Sequence, residues 1–203
     1  MRTEIKNGQR HKAFRDGDTF IKYTAHPHIE EAASRFLGHL GVHAPAVTAH
    51  GDHLTAPWVA GKDLIQSDTK ELQSISASQA AHTLFGEWLG GISDRHCGNY
   101  LVADGTVHSI DHGEAFRSYP DESDLYTAMI HPLRHKPGHP GFWTTPIPAH
   151  ALEAAHDPVL EEHIKAGTAH LDEASASACM AAFRDRLDQV HPQMTVGHLL
   201  PTV

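Results

Sequence analysis

Short runs of alternating apolar and polar residues dominate the first 57 positions, and longer helical repeats dominate the rest. "FRDGDTFIKY" predicts two short strands turning at Asp16-Gly17, a dipeptide favoured in hairpins. Lys22 falls in the second strand. "HPHIEEAASRFLGHLG" predicts a helix, with Pro27 suited to its start, two glutamates to its first turn and Gly41 to its end. Ala33, Phe36, Leu37 and Leu40 recur along it at helical spacing. "APAVTAHGDHLTAPWV" predicts a second strand pair turning at Gly51-Asp52.

Beyond Gly61 the pattern changes. "SDTKELQSISASQAAHTLFGEWLGG" predicts one or two helices ending at Gly90-Gly91, and "NYLVADGTVHSID" a hairpin turning at Asp104-Gly105. The stretch from Arg117 to Pro148 is rich in Pro, Gly and His and reads as loop with short helical pieces. "HALEAAHDPVLEEHIKAG" and "DEASASACMAAFRDRLDQVH" each predict a closing helix, the second with an apolar stripe of Ala178, Ala181, Ala182, Phe183 and Leu187. The expected fold class is α+β, with a small β-rich part at residues 1–59, a larger helical part at 60–203, and a joint at 57–62.

Composition narrows the function. A chain of 203 residues, 40% apolar and 20% charged, can bury a core. Its formal net charge of -9 argues against a general nucleic-acid partner and against docking on anionic lipid. No run approaches the roughly 18 apolar residues that a membrane helix needs, so no membrane insertion is expected. The polar start, "MRTEIKNGQRHKAFRDGD", does not read as a secretory signal, and Cys97 and Cys179 form no CxxC pair, which suits the cytoplasm. The twenty histidines include His131, His135 and His139, which prolines keep out of a regular helix, and the pair His50 and His53. They read as surface enrichment, with a metal-binding protein as the remote alternative.

The candidate chemistry lies in "LGGISDRHCGNYLVADGTVHSIDHGEAF". A two-residue turn at Asp104-Gly105 pairs Ala103 with Thr106 and Val102 with Val107, and sets Asn99 opposite Ile110. Asn99 and Asp111 then share the open end of the hairpin, with Asp94 and His96 on the loop just before it. An amide and a carboxylate oxygen are hard ligands of the kind Mg²⁺ takes when phosphates supply the rest. A further carboxylate can accept a proton from an attacking hydroxyl. Metal, phosphate and base together are the parts of phosphoryl transfer.

"DRHCGNYL" followed by "SIDHG" resembles the DRHxxN and D-x-G motifs of the phosphatidylinositol 3- and 4-kinase-like superfamily, which includes lipid kinases, related protein kinases and HipA-type kinases. The resemblance covers about residues 5 to 116. It implies a two-lobed protein-kinase-like fold and an ATP- and Mg²⁺-dependent kinase. It further implies Lys22 as the phosphate-holding lysine and Glu30 as its partner, with Glu31 the alternative. "HLTAPWVAGKDL" resembles the adenine-binding hinge, with Trp58 and Val59 at its centre. Asp94 is implied as general base or as orienter of the acceptor, His96 as a γ-phosphate contact or a loop brace, and Arg95 as their neighbour in the catalytic loop, pairing with a carboxylate. Asn99 and Asp111 are implied as the Mg²⁺ ligands. The chain departs from the pattern in two places: no GxGxxG precedes Lys22, leaving Gln9, Arg10 and His11 as the one phosphate-covering candidate, and His112 stands where an aromatic is usual. The acceptor is expected to be a hydroxyl-bearing protein, peptide or small molecule. Arg117, Arg134, His135 and Lys136 could meet an anionic acceptor. The alternatives are a nucleotide-binding pseudokinase that regulates a partner, and the same fold transferring AMP.

Overall fold

The computed structural model describes residues 2–5, 12–117 and 142–199. Three hairpin-forming pieces build an antiparallel sheet of five strands: β1 (Arg2–Ile5), β2 (Ala13–Asp16), β3 (Thr19–Tyr23), β4 (Thr48–His50) and β5 (His53–Pro57), in the spatial order β1-β2-β3-β5-β4. The β2–β3 register closes at Asp16↔Thr19, so the loop is Gly17-Asp18, one residue later than the sequence suggests. Gly17 carries the positive φ (59°) that the first loop residue of a II′-type turn needs, which Asp16 does not supply. β1 was not evident from the sequence, because an exposed edge strand needs no apolar alternation; Arg2, Thr3 and Glu4 are all exposed.

The sheet's central strand is β3, and its register explains the setting of Lys22. Ala13 on β2 and Leu54 on β5 are its cross-strand partners. Opposed residues share a face, and both partners are almost wholly buried. Lys22 is therefore aimed into the protein, against α1 (Pro27–His39). Pro27 opens that helix, and Ile29, Ala33, Phe36 and Leu37 face inward.

The remainder is mostly helical. α2 (Thr69–Ser74) is capped by Asp68, and α3 (Ala77–Leu89) by Ser76. α3 is buried along most of its length, from Ala80 to Leu89. A small sheet of β6 (Lys62–Asp63), β7 (Tyr100–Ala103) and β8 (Thr106–Ser109) follows the order β6-β7-β8. Its hairpin has the expected register, Ala103↔Thr106 and Val102↔Val107, with positive φ at both Asp104 and Gly105, as a I′ turn requires. The predicted helix over residues 150–167 is two helices, α4 (Ala149–Ala154) and α5 (Val159–Thr168). Pro158 divides them: it has no N–H to donate, and it disfavours helical backbone at Asp157. α6 (Glu173–Leu187) closes the chain, but its buried face is Cys179, Phe183 and Arg186; Ala178 and Ala181 point to solvent.

One continuous core joins these parts: Phe36 and Leu37 of α1, Phe85 and Leu89 of α3, Tyr100 and Val107 of the hairpin, Leu160 and Ile164 of α5, and Phe183 of α6. Phe36 meets Phe116 and Phe183 edge-on, at ring-centroid distances of 5.8 and 6.1 Å. α5 passes close to Phe116 at Gly167, where a Cβ would lie 2.3 Å from the Phe116 ring and 3.3 Å from the Ala32 Cβ. The architecture is thus α+β, with a β-rich N-terminal part and a helical C-terminal part in the two-lobed order of a protein-kinase-like fold. No helix among the described residues is long and apolar enough to cross a membrane.

Candidate active site

Lys22 is the centre of the site. Its Nζ donates to Glu30 Oε1 at 2.7 Å and to Asp111 Oδ1 at 2.7 Å. Three segments far apart in sequence meet at one ammonium: β3, the first turn of α1, and the end of the β7–β8 hairpin. The lysine and Glu30 side chains are 6% and 5% exposed, whereas that of Asp111 is 49% exposed, so the cluster opens to solvent on the Asp111 side. Burial works against the lysine's charge, but Glu30 and Asp111 outweigh it and hold its pKa above the ordinary value. Burial also works against the Asp111 charge, and there Lys22, then Arg95, prevail and hold the carboxyl below its ordinary range. Burial pushes Glu30 above its ordinary value, with Lys22 opposing.

The choice between Glu30 and Glu31 is resolved by helix geometry. Glu30 sits three residues before Ala33 and seven before Leu37, on the inner stripe; Glu31 instead pairs with Arg35, four residues on, at 2.7 Å.

Beneath the cluster lies a buried polar network. The Arg95 side chain is fully enclosed. Its Nη1 donates to the backbone carbonyls of Ile110 (3.1 Å) and Asp111 (2.9 Å), and its Nη2 to Glu87 Oε1 (2.9 Å), Asn99 O (3.2 Å) and Ser109 Oγ (3.0 Å). Its Nε has no hydrogen-bond partner among the described residues. Glu87 also accepts from the Tyr100 hydroxyl at 2.6 Å, and Ser109 Oγ meets His112 Nε2 at 2.9 Å. Burial, then the Glu87 charge, pushes the Tyr100 hydroxyl well up. Burial, reinforced by Arg95, pushes His112 down to about 3. Arg95 faces the interior here, bracing the loop from below. Glu87, Tyr100 and Ser109 were not singled out from sequence; the one signal was a lone carboxylate inside the otherwise apolar "TLFGEWL".

Asp94 and His96 are exposed on the loop that Arg95 anchors. Asp94 and Asp111 both hold positive φ, 56° and 59°, a region where Asp is tolerated better than most residues and where backbone strain accompanies functional sites. The loop is pinned to the segment after Asp111 by Ser93 N–H to Glu114 O (3.1 Å) and Phe116 N–H to Gly90 O (3.0 Å). His96 braces its own turn: its backbone N–H donates to Asn99 Oδ1 at 2.9 Å, and its ring Nδ1 accepts from the Gly98 backbone N–H at 3.2 Å. A neutral His96 therefore carries its ring proton on Nε2. Asn99 is buried, and its Oδ1 accepts from the His96 backbone N–H. The oxygens of Asn99 and Asp111 are hard donors of the type Mg²⁺ accepts, so the residues present fit that ion.

Trp58 and Val59 follow β5 half-buried. The Trp58 backbone N–H donates to Asp18 O at 2.7 Å, and the Arg15 guanidinium lies 4.7 Å over the Trp58 ring, so the indole packs against the N-terminal hairpin. Arg117 pairs with Glu114. Gln9, Arg10, His11, Arg134, His135 and Lys136 lie outside the described residues.

No protein-family model matches the chain, and no curated protein matches it. Solved structures that align with it over most of its length include two kinases. One is the proinflammatory kinase CtkA of Helicobacter pylori, at 14% identity and a TM-score of 0.47, covering 93% of this chain and 89% of that one. The other is a choline/ethanolamine kinase family protein from Mesorhizobium loti, at 11% identity and a TM-score of 0.42, covering 98% of this chain and 91% of that one. The chain is similar in outline to these two kinases, at a likeness that assigns it to no family.

Proposed function

We propose that the chain is an Mg²⁺- and ATP-dependent phosphotransferase that moves the γ-phosphate onto a hydroxyl acceptor, on a protein, a peptide or a small molecule. The observation that carries this reading is the buried Lys22 held between Glu30 and Asp111 at 2.7 Å each. A buried lysine with two carboxylates and one open side is a cation fixed in place to meet anionic oxygens. In this reading residues 1–59 form the small lobe and 60–203 the large one, with Trp58 and Val59 at the hinge beside the adenine, and the chain works in the cytoplasm.

The roles follow from the chemistry of each group. Lys22 holds the α- and β-phosphates, and Glu30 keeps it aimed. Asn99 and Asp111 hold Mg²⁺, which when bound neutralises phosphate charge. Asp94 accepts the proton of the acceptor hydroxyl or orients it, from an exposed position on an anchored loop. His96 braces that loop through Nδ1 and presents Nε2–H outward, as a donor to a phosphate oxygen. Arg95 acts by positioning, since its guanidinium holds the backbone of Asn99 and Asp111.

Thermal unfolding with and without Mg-ATP tests the binding step, on wild type and Asp111→Ala. Nucleotide at about 100 times its dissociation constant adds about 2.7 kcal/mol, a shift of roughly 5 to 10 °C for a chain of this size. A metal-dependent shift abolished by Asp111→Ala is expected; no shift at millimolar nucleotide refutes the reading. Mass analysis of a modified acceptor then separates transfer of phosphate from transfer of AMP.

A further inference from the structure

Three histidines converge at the end of α1 opposite to its last turn. His26 is the residue just before the helix, His28 lies in its first turn, and His170 lies in the turn that follows α5. Each offers one ring nitrogen, and the three nitrogens lie within 4.8 Å of one another. His28 Nε2 and His170 Nδ1 are 3.2 Å apart, and the His26 and His170 rings stack at 4.8 Å between centroids.

Helical residues two apart do not normally share a side. His26 escapes that rule because its backbone is not helical (φ -134°, ψ 61°), so its ring can turn back toward His28. The third ligand is placed by packing: α5 runs against α1 with Gly167 beside Ala32, three residues before His170. The trio therefore rests on two helices whose separation is already fixed.

We propose that His26, His28 and His170 form a site for a divalent transition-metal ion of the zinc type, linking the start of α1 to the end of α5. Zn²⁺–imidazole bonds of about 2.0–2.1 Å at tetrahedral angles put neighbouring nitrogens roughly 3.3–3.4 Å apart. The observed His28–His170 separation of 3.2 Å is close to that edge. His26 and His170 are exposed and His28 is half-buried, so a small rotation brings the third nitrogen in. Water completes the fourth position. All three donors are imidazole nitrogens, which suit Zn²⁺, Co²⁺, Ni²⁺ and Cu²⁺ and not Mg²⁺ or Ca²⁺. The site is thus chemically distinct from the oxygen ligands at Asn99 and Asp111, and it stands without reference to any activity.

The test is a Zn²⁺ titration of the untagged chain, without nucleotide, against a chromophoric chelator and in millimolar Mg²⁺. One tight equivalent that Mg²⁺ does not displace is expected. His26→Gln, His28→Gln and His170→Gln should each weaken it tenfold or more, while His50→Gln, in the two-histidine stack with His53, leaves it unchanged. Co²⁺ in its place should give the visible bands of a four-coordinate ion, lost in His170→Gln, an exposed position where the fold is least at risk. No tight equivalent, or one that all three trio variants retain, overturns the proposal.

Discussion

His112 allows a quantitative test of the buried network under the site. It is 2% exposed, and its Nε2 lies 2.9 Å from Ser109 Oγ. Burial, with the Arg95 charge adding to it, lowers its pKa from 6.5 to about 3. A group whose folded pKa is depressed in this way binds more protons in the unfolded chain between the two values. Stability therefore falls as pH drops below about 6.5, at up to about 1.4 kcal/mol per pH unit. From pH 7 to pH 5 the loss from this one residue is about 2 kcal/mol, or roughly 4 to 8 °C in melting temperature. The test compares unfolding of wild type and His112→Gln at pH 5, 6 and 7; Gln keeps a polar atom within reach of Ser109 and does not titrate. His28, His82, His108 and His163 are also held below their ordinary value, and Glu30 above its own, but these contributions persist in the variant and cancel in the difference. The Asp111 carboxyl titrates below the window. The wild type should lose about 2 kcal/mol more than the variant between pH 7 and 5. Parallel pH profiles would refute the claim that this imidazole is buried and neutral.

Other substitutions probe the rest of the arrangement. Glu87→Ala leaves the enclosed Arg95 charge without its carboxylate and should cost about 3–5 kcal/mol by denaturant unfolding, with Glu87→Gln milder. Gly167→Ala sets a methyl 2.3 Å from the Phe116 ring and should cost roughly 1–3 kcal/mol, read as a lower melting temperature. Arg95→Lys keeps the charge but not the fork that reaches Glu87 and three carbonyls together; it should shrink the Mg-ATP stabilisation seen in thermal unfolding, and an unchanged shift would remove Arg95 from any positioning role. Asp94→Asn should retain that stabilisation while slowing acceptor phosphorylation about 10²- to 10⁴-fold in a steady-state assay, because it removes a proton acceptor and no phosphate contact.

Parts of this site were legible in the sequence for reasons the structure makes plain. The spacing of Asn99 and Asp111 about an Asp-Gly turn fixes their common end of the hairpin, because a two-residue loop leaves no freedom of register. Glu30 and Glu31 stayed alternatives in the sequence, and the structure separates them: Glu30 shares the inner stripe with Ala33 and Leu37, whereas Glu31 pairs with Arg35. Glu87 was not: nothing local distinguishes a carboxylate bound for Arg95, Tyr100 and Ser109 from one that reaches solvent, since those partners are brought to it by the packing of α3 against the hairpin. The break at Pro158 was hidden by apolar spacing that runs on through both helices, and the α6 stripe was misplaced because small alanines fit either face. The histidine trio could not be seen at all, because His170 is 142 residues from His28.

The buried ion pair between Arg95 and Glu87 bears on what the network is for. Enclosing two charges costs about as much as their attraction returns, so such a pair is a weak source of net stability. What it supplies here is placement. One rigid guanidinium holds the carbonyl of Asn99 and the carbonyl of Asp111, and so ties together the two residues whose side chains carry the hard oxygen donors. Asp111 at positive φ cannot rely on local preference to keep its conformation, and the carbonyl bond from Arg95 opposes its relaxation. Lys22 then fixes the same residue from the other side through its carboxylate. Asp111 is thus held by its backbone from the helical part and by its side chain from the sheet.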